Sequence, residues 1–366
     1  MTPAELAQAL KQHARQLGFM LAGITNPGQP EHFDVFQHWL AAGRHAQMAY
    51  LADKAAIERR ADPKRILPEC RSILVLGIPY SNPSLPAPVP SGASPLNQPH
   101  PHGRVAAYAW GADYHLVLPE RLQALVAFLE AQVGHPIPNR WHTDTGPVLE
   151  RDLAMRAGLG WIGKNTCLIN PQRGSYFLLA EILLGLDLPS DEPFTGDRCG
   201  SCTRCIDACP TACILPDRTI DSARCISYLT IENKAETPED LRPLMGDWLF
   251  GCDICQMVCP WNIRFARLDS PSGQAENGDP AFAARPGLST PSLAGELQLT
   301  PREFNRKFKD SPVKRAKRRG YLRNAAVAAA NSGQAIILPV LKSAARDDEA
   351  LIRQHAEWAI KQLEEA

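Results

Sequence analysis

Cysteine spacing constrains this chain more than any other feature. The run Cys199-x2-Cys202-x2-Cys205-x3-Cys209-Pro210 has the spacing of bacterial ferredoxins, and Cys252-x2-Cys255-x3-Cys259-Pro260 repeats its second part. One member of the second set is displaced upstream, and Cys225 is the candidate for it. Three thiolates in a tight loop reach three irons of one cubane, while the fourth, before proline, points away and ligates the other cluster. The spacing therefore predicts two [4Fe–4S] clusters. Cys199, Cys202, Cys205 and Cys259 hold one; Cys209, Cys225, Cys252 and Cys255 hold the other. Two zinc sites would also use eight thiolates, but zinc ligands usually come as separated Cys-x2-Cys pairs. The remaining cysteines, Cys70, Cys167 and Cys213, read as small buried hydrophobes.

Reduced thiols imply a compartment where disulfides do not persist. The opening residues fit that expectation. Thr2 is an N-cap, Pro3 sits at N1 and Glu5 completes a capping box, followed by an amphipathic stretch interrupted by Lys11, His13 and Arg15. This is not a signal peptide, and no apolar run reaches the ~18 residues that span a bilayer. A cytoplasmic protein without membrane contact is expected. Formal net charge is +0, so any nucleic-acid footprint must be local.

With 366 residues the chain suits two or three domains. In residues 1–190, apolar runs at 19–25 and 72–78 read as strands, and 176–186 is a further apolar stretch. Periodic stretches at 31–42, 113–133 and 147–157 read as helices, the second closed by Gly134 and Pro136. The alternation predicts an α/β or α+β domain. Residues 81–103 hold seven prolines and read as an exposed loop. Residues 191–265 form the ferredoxin-like two-cluster domain, and 266–366 a Pro/Gly/Ser-rich linker (270–291) followed by an all-α tail. Within the tail, 323–329 resembles 353–359 at an offset of 30, which fits either a HEAT-type helical repeat or an ordinary bundle. Ten cations against two acids, Glu303 and Asp310, crowd residues 302–323. Lys314, Arg315, Lys317, Arg318, Arg319 and Arg323 are the candidate phosphate contacts for RNA, the alternative being a solvated helix face.

The cysteine runs with their flanks, Arg198–Thr211, Arg224–Thr230 and Gly251–Asn262, resemble the epoxyqueuosine reductase family. So do Trp110–His115, Asp144–Arg151 and Ala157–Asn165; the likeness covers almost the whole chain except 81–103. The resemblance implies reduction of epoxyqueuosine to queuosine at the tRNA wobble position by a cytoplasmic monomer. It implies cobalamin beside the two clusters, an N-terminal cobalamin-binding domain, a HEAT-like tail that holds tRNA, and a low-potential electron donor. On the matching positions, Asp144 becomes the proton donor and a cofactor contact, and Arg60, Ala106, Leu168, Leu179, Ser227 and Asp253 become cobalamin contacts. To act as an acid near neutrality Asp144 needs burial that raises its pKa; without the family it reads as an Asx-turn or helix cap. Two rivals share parts of this pattern: a cobalamin-dependent reductive dehalogenase and a two-cluster electron carrier.

Overall fold

The computed structural model describes residues 1–80, 101–268 and 278–365. Most of the proline-rich loop and part of the linker lie outside them. The first half runs α1 (Pro3–Gln16), β1 (Leu21–Thr25), α2 (Phe33–Ala41), α3 (Lys54–Ala61), β2 (Ser72–Pro79), β3 (Arg104–Val105), α4 (Tyr114–Val133), β4 (Asn139–His142), α5 (Glu150–Arg156), β5 (Trp161–Ile162), β6 (Leu168–Ile169) and β7 (Phe177–Leu184). The capping box Thr2–Glu5 starts α1 as expected.

One four-stranded sheet, order β1-β2-β7-β4, organises this half, and all its pairs are antiparallel. That corrects the α/β alternative to α+β. Helices cover both faces, which is why β2 and β7 read as near-continuous apolar runs rather than alternating ones. Leu74, Leu76 and Ile78 of β2 join Ala180, Ile182 and Leu184 of β7 in the core shared with α1 and α4. The intervening Ile73, Val75 and Leu183 pack with Leu153 and Ala154 of α5 and with Ala157 just after it. Residues 144–149, expected to be helical from 147, stay a loop, and α5 begins at Glu150. Asp144 has φ +60, a left-handed backbone that short polar side chains tolerate.

The second half runs α6 (Arg204–Asp207), α7 (Ile226–Ile231), β8 (Trp248–Phe250), α8 (Ile254–Met257), α9 (Pro260–Leu268), α10 (Leu293–Leu297), α11 (Pro301–Lys307), α12 (Lys317–Asn331), α13 (Leu338–Ala344) and α14 (Ala350–Glu364). It is tied to the first half at several points. β3 pairs in parallel with β8. After the linker, Asp279 forms an ion pair with Arg121 of α4, and Phe282 lies so close to Gly111 that a Cβ there would meet its backbone at 2.4 Å.

Helix α12 is buried along residues 320–330, so it is the central helix of the tail rather than a surface helix. Ala326 and Ala329 pack in the same core as Ala356 and Ala359 of α14, the positions matched by the offset of 30. Arg323 is fully buried. Its guanidinium donates to the carbonyls of Leu229, Asn233 and Ala235, and Asn324 donates to Thr230 and Leu249. The expected RNA contact at Arg323 is therefore corrected: this cation stitches the tail to the cluster-bearing part. Removing it would orphan buried carbonyls at ~1–3 kcal/mol each.

Candidate functional site

Cys199, Cys202, Cys205 and Cys259, read from different turns of the chain, line one cavity of about 340 Å³. Lys164, Arg198, Arg204 and Arg264 line it too, a cationic surround that suits an anionic thiolate-bound cluster. Lys164 Nζ donates to the carbonyls of Gly200 and Cys202 at 2.7 and 3.0 Å, holding the ligand loop. Trp161 Nε1 donates to Cys199 Sγ at 3.4 Å, and its ring meets Trp261 edge-on at 5.0 Å. The sequence reading did not single out these supports, although Trp161 and Lys164 lie inside a run it used.

The other four cysteines gather one turn away. Cys252 interacts electrostatically with Cys225 and Cys209, and Cys255 with Cys252 and Cys225. Two of the three supposed bystanders stand among them. Cys213 Sγ is 3.4 Å from Cys209 Sγ and also bonds Cys225, and Cys167 bonds Cys255. Cys70 alone keeps the expected role: it is buried, away from both sets, and burial pushes its thiol up to about 11.

From the second set the structure leads to Asp144. Asp253, between Cys252 and Cys255, is buried and accepts the Ala107 N–H at 2.7 Å. Its neighbour Ala106 rests on Gly251, where φ is +70 and a Cβ would come within 2.5 Å of the Ala106 methyl; only glycine serves there. Tyr108 follows, half-buried, and interacts electrostatically with both Asp253 and Asp144. Tyr114 packs edge-on to Tyr108 and donates its hydroxyl to Asp144 Oδ2 at 2.8 Å. His115 Nε2 lies 3.6 Å from the same oxygen, while its Nδ1 is 2.8 Å from Asp113.

These neighbours decide the charge of Asp144. Its side chain is 57% exposed, and what desolvation it has, which raises its pKa, is outweighed by the ion pair with His115, the hydrogen bond from Tyr114 and the nearby Arg315. Its pKa is therefore lowered while the site is open to solvent. The proton sits on His115, which the two carboxylates hold up at about 9. Nor is Asp144 a helix cap, since α5 starts six residues later.

The remaining expected contacts stand on several elements. Arg60 is buried, not an exposed cation; it donates to Ala56 O and lies 5.5 Å over the Phe36 ring. Leu179 is half-buried beside the Asp144 loop, its carbonyl accepting from Thr143 Oγ1 at 2.9 Å. Leu168 belongs to the core against α5. Ser227, in the first turn of α7, is half-buried and its carbonyl accepts from Thr230 Oγ1. Of the tail cations, Lys314, Arg315 and Lys317 are exposed. Arg315 pairs with Glu232 and interacts electrostatically with Asp144 and Tyr50. Arg318 is occupied by Asp347 and Leu299 O, while Arg319 is half-buried.

Comparison with known proteins bears on the same regions. Residues 198–262 match a family described as a 4Fe-4S double cluster binding domain, and 60–145 one described as epoxyqueuosine reductase QueG, DUF1730. An epoxyqueuosine reductase from Pseudomonas aeruginosa is 41% identical over 360 residues, covering 98% of this chain and 95% of its own. A crystal structure of epoxyqueuosine reductase with an epoxyqueuosine-modified tRNA-Tyr stem loop superposes with TM-score 0.85 at 31% identity, covering 98% of this chain and 90% of that one. A Bacillus subtilis epoxyqueuosine reductase, solved with its aspartate-bearing catalytic loop swung out of the active site, gives TM-score 0.84 at 31% identity over the same shares.

Proposed function

Since the chain belongs to the epoxyqueuosine reductase family, we propose that it reduces epoxyqueuosine to queuosine at the wobble position of tRNA, the last step of queuosine formation. The observation that carries the reading is the continuity from the second cysteine set through Asp253 and Tyr108 to Asp144. Such a path puts one-electron carriers beside a proton-handling site. The reaction needs both: two electrons and two protons convert the epoxide to an alkene, and its oxygen leaves as water.

Cobalamin, when bound, supplies a strongly reducing cobalt centre. The half-buried, apolar Tyr108 and Leu179 beside Asp144 support a fit for its flat macrocycle. Arg60, Ala106, Asp144, Leu168, Leu179, Ser227 and Asp253 are the residues that would hold it. This chain's own side chains handle the proton. His115 stores it, Asp144 Oδ2 passes it to the epoxide oxygen, and covering the site from solvent raises the Asp144 pKa as transfer requires. On this reading 1–190 is the catalytic domain, 191–265 the electron relay and 266–366 a HEAT-like tail, supported by the paired alanine rows of α12 and α14. The protein works as a cytoplasmic monomer, fed by an external low-potential donor.

Nucleoside mass spectrometry of tRNA tests the activity. A strain lacking this gene should accumulate epoxyqueuosine, and restoring the gene should return queuosine; unaltered queuosine in the deletion strain would sink the assignment.

The exposed cations Lys314, Arg315 and Lys317 are proposed to contact tRNA phosphates. Reversing all three to glutamate should weaken tRNA binding and shrink the slope of log affinity against log salt by roughly two to three. Filter binding at several salt concentrations reads both, and an unchanged slope would return these residues to the role of a solvated surface.

A further inference from the structure

Glu181 occupies the middle of β7, fully buried, on the face of the sheet that packs against α5. Its strand neighbours are Val75 across β2 and His142 across β4. Neither carboxyl oxygen has a hydrogen-bond partner among the described residues. A lone buried carboxylate in such a place costs several kcal/mol, so the group keeps its proton unless another group shares it. Helix α5 packs on β7, and the carboxyl that interacts with Glu181 is that of Glu150, its first residue. Glu150 in turn faces the Asp144 loop: its Oε1 accepts the Asp144 backbone N–H at 2.6 Å. That bond fixes the left-handed backbone of Asp144. The loop is seated on the same spot from below, where Gly146 lies against the His142 ring so closely that a Cβ would come within 2.5 Å of it.

We propose that Glu150 and Glu181 form a proton-sharing carboxyl pair that latches the Asp144 loop, with Glu150 as the positioning residue and Glu181 as its proton partner. With the shared proton on Glu181, Glu150 is ionised and accepts the Asp144 N–H as a charge-assisted bond. With a second proton on the pair, Glu150 is neutral and grips the same N–H more weakly. The inference rests on Asp144 being the residue presented to substrate. The measurement below reads loop order instead of turnover, so the two can fail separately.

Burial, then the Asp144 charge, raises Glu150 to about 7, and burial holds Glu181 well above the carboxylate range. The latch therefore tightens as pH rises through about 7. The other groups facing the pair do not change there. Asp144 is ionised, Arg60 of α3 and Arg151 of α5 bring guanidinium charges, and burial keeps the Tyr114 phenol protonated. Burial and Arg140 lower the His142 pKa, so its proton leaves before the pair's does, and His115, behind Asp144, changes only near about 9.

Hydrogen exchange on the full chain, with rates converted to protection factors, tests the latch. Protection of residues 143–149 should rise roughly five- to tenfold between about pH 6 and about pH 8, as a neutral acceptor becomes a charged one. In Glu181→Gln the amide donates permanently to Glu150, which loses its carboxyl neighbour, so the step should move to lower pH. In Glu150→Gln the acceptor is neutral at every pH and the step should vanish. A flat wild-type profile overturns the proposal without any variant. So does a Glu181→Gln step at the wild-type pH, which would make Glu181 a passive core residue.

Discussion

Replacing Asp144 by asparagine is expected to slow epoxide reduction by about 10²–10⁴-fold, the usual contribution of a positioned proton donor. Asparagine keeps the geometry. Its side-chain oxygen still accepts from Tyr114, and its backbone N–H still reaches Glu150. What it cannot do is relay the proton stored on His115. The variant should fold, carry both clusters and bind tRNA normally, and single-turnover assays with a chemical reductant would isolate the defect from the electron donor. In the wild type the rate should also fall as pH rises through about 9, because His115 is cationic below that value and neutral above it. Wild-type turnover in Asp144→Asn would assign protonation to water or another side chain.

Breaking the second cluster should have an effect of similar size on turnover and a plainer one on composition. Cys225→Ser is the obvious variant, but Cys213 lies against both Cys209 and Cys225 and its thiol is placed to take over the vacant position. The double replacement Cys213→Ser, Cys225→Ser removes that escape. Iron in the anaerobically reconstituted protein should drop from about eight per chain to about four, with the cavity around Cys199, Cys202, Cys205 and Cys259 still filled. Turnover should vanish whichever reductant is supplied upstream of the relay. Retention of about eight irons would mean that the ligand set is assigned wrongly.

The cluster ligands were legible because their geometry is local: spacing within a tight loop nearly dictates which thiolate reaches which iron. Strand β2 was legible for a similar reason, since its β-rich apolar run is ended by Pro79, whereas 176–186 read only as apolar. Arg323 was not legible. A run of cations is a one-dimensional pattern, and only the docking of α12 beneath α7 and β8 shows that its seventh residue points inward onto three carbonyls. The charge state of Asp144 was not legible, because it depends on His115 and Tyr114, about thirty residues away and brought beside it by packing. Glu181 did leave a trace, a single acid inside Phe177–Leu184, which is otherwise apolar. An uncompensated charge in a buried strand is worth questioning wherever it occurs.

The stitching of the tail also sets a timetable for biogenesis. β3 has no partner until β8 has been synthesised about 140 residues later, and the carbonyls of Thr230 and Leu249 wait for Asn324. Once Cys259 has been made and until α12 follows some sixty residues later, all eight cluster cysteines are present while α12 is not. Cofactor loading thus has a window during translation in which the relay is still uncovered on its α7 and β8 side, and the last hundred residues close it. A chain released before α12 would leave that seam open, with its clusters exposed to oxygen.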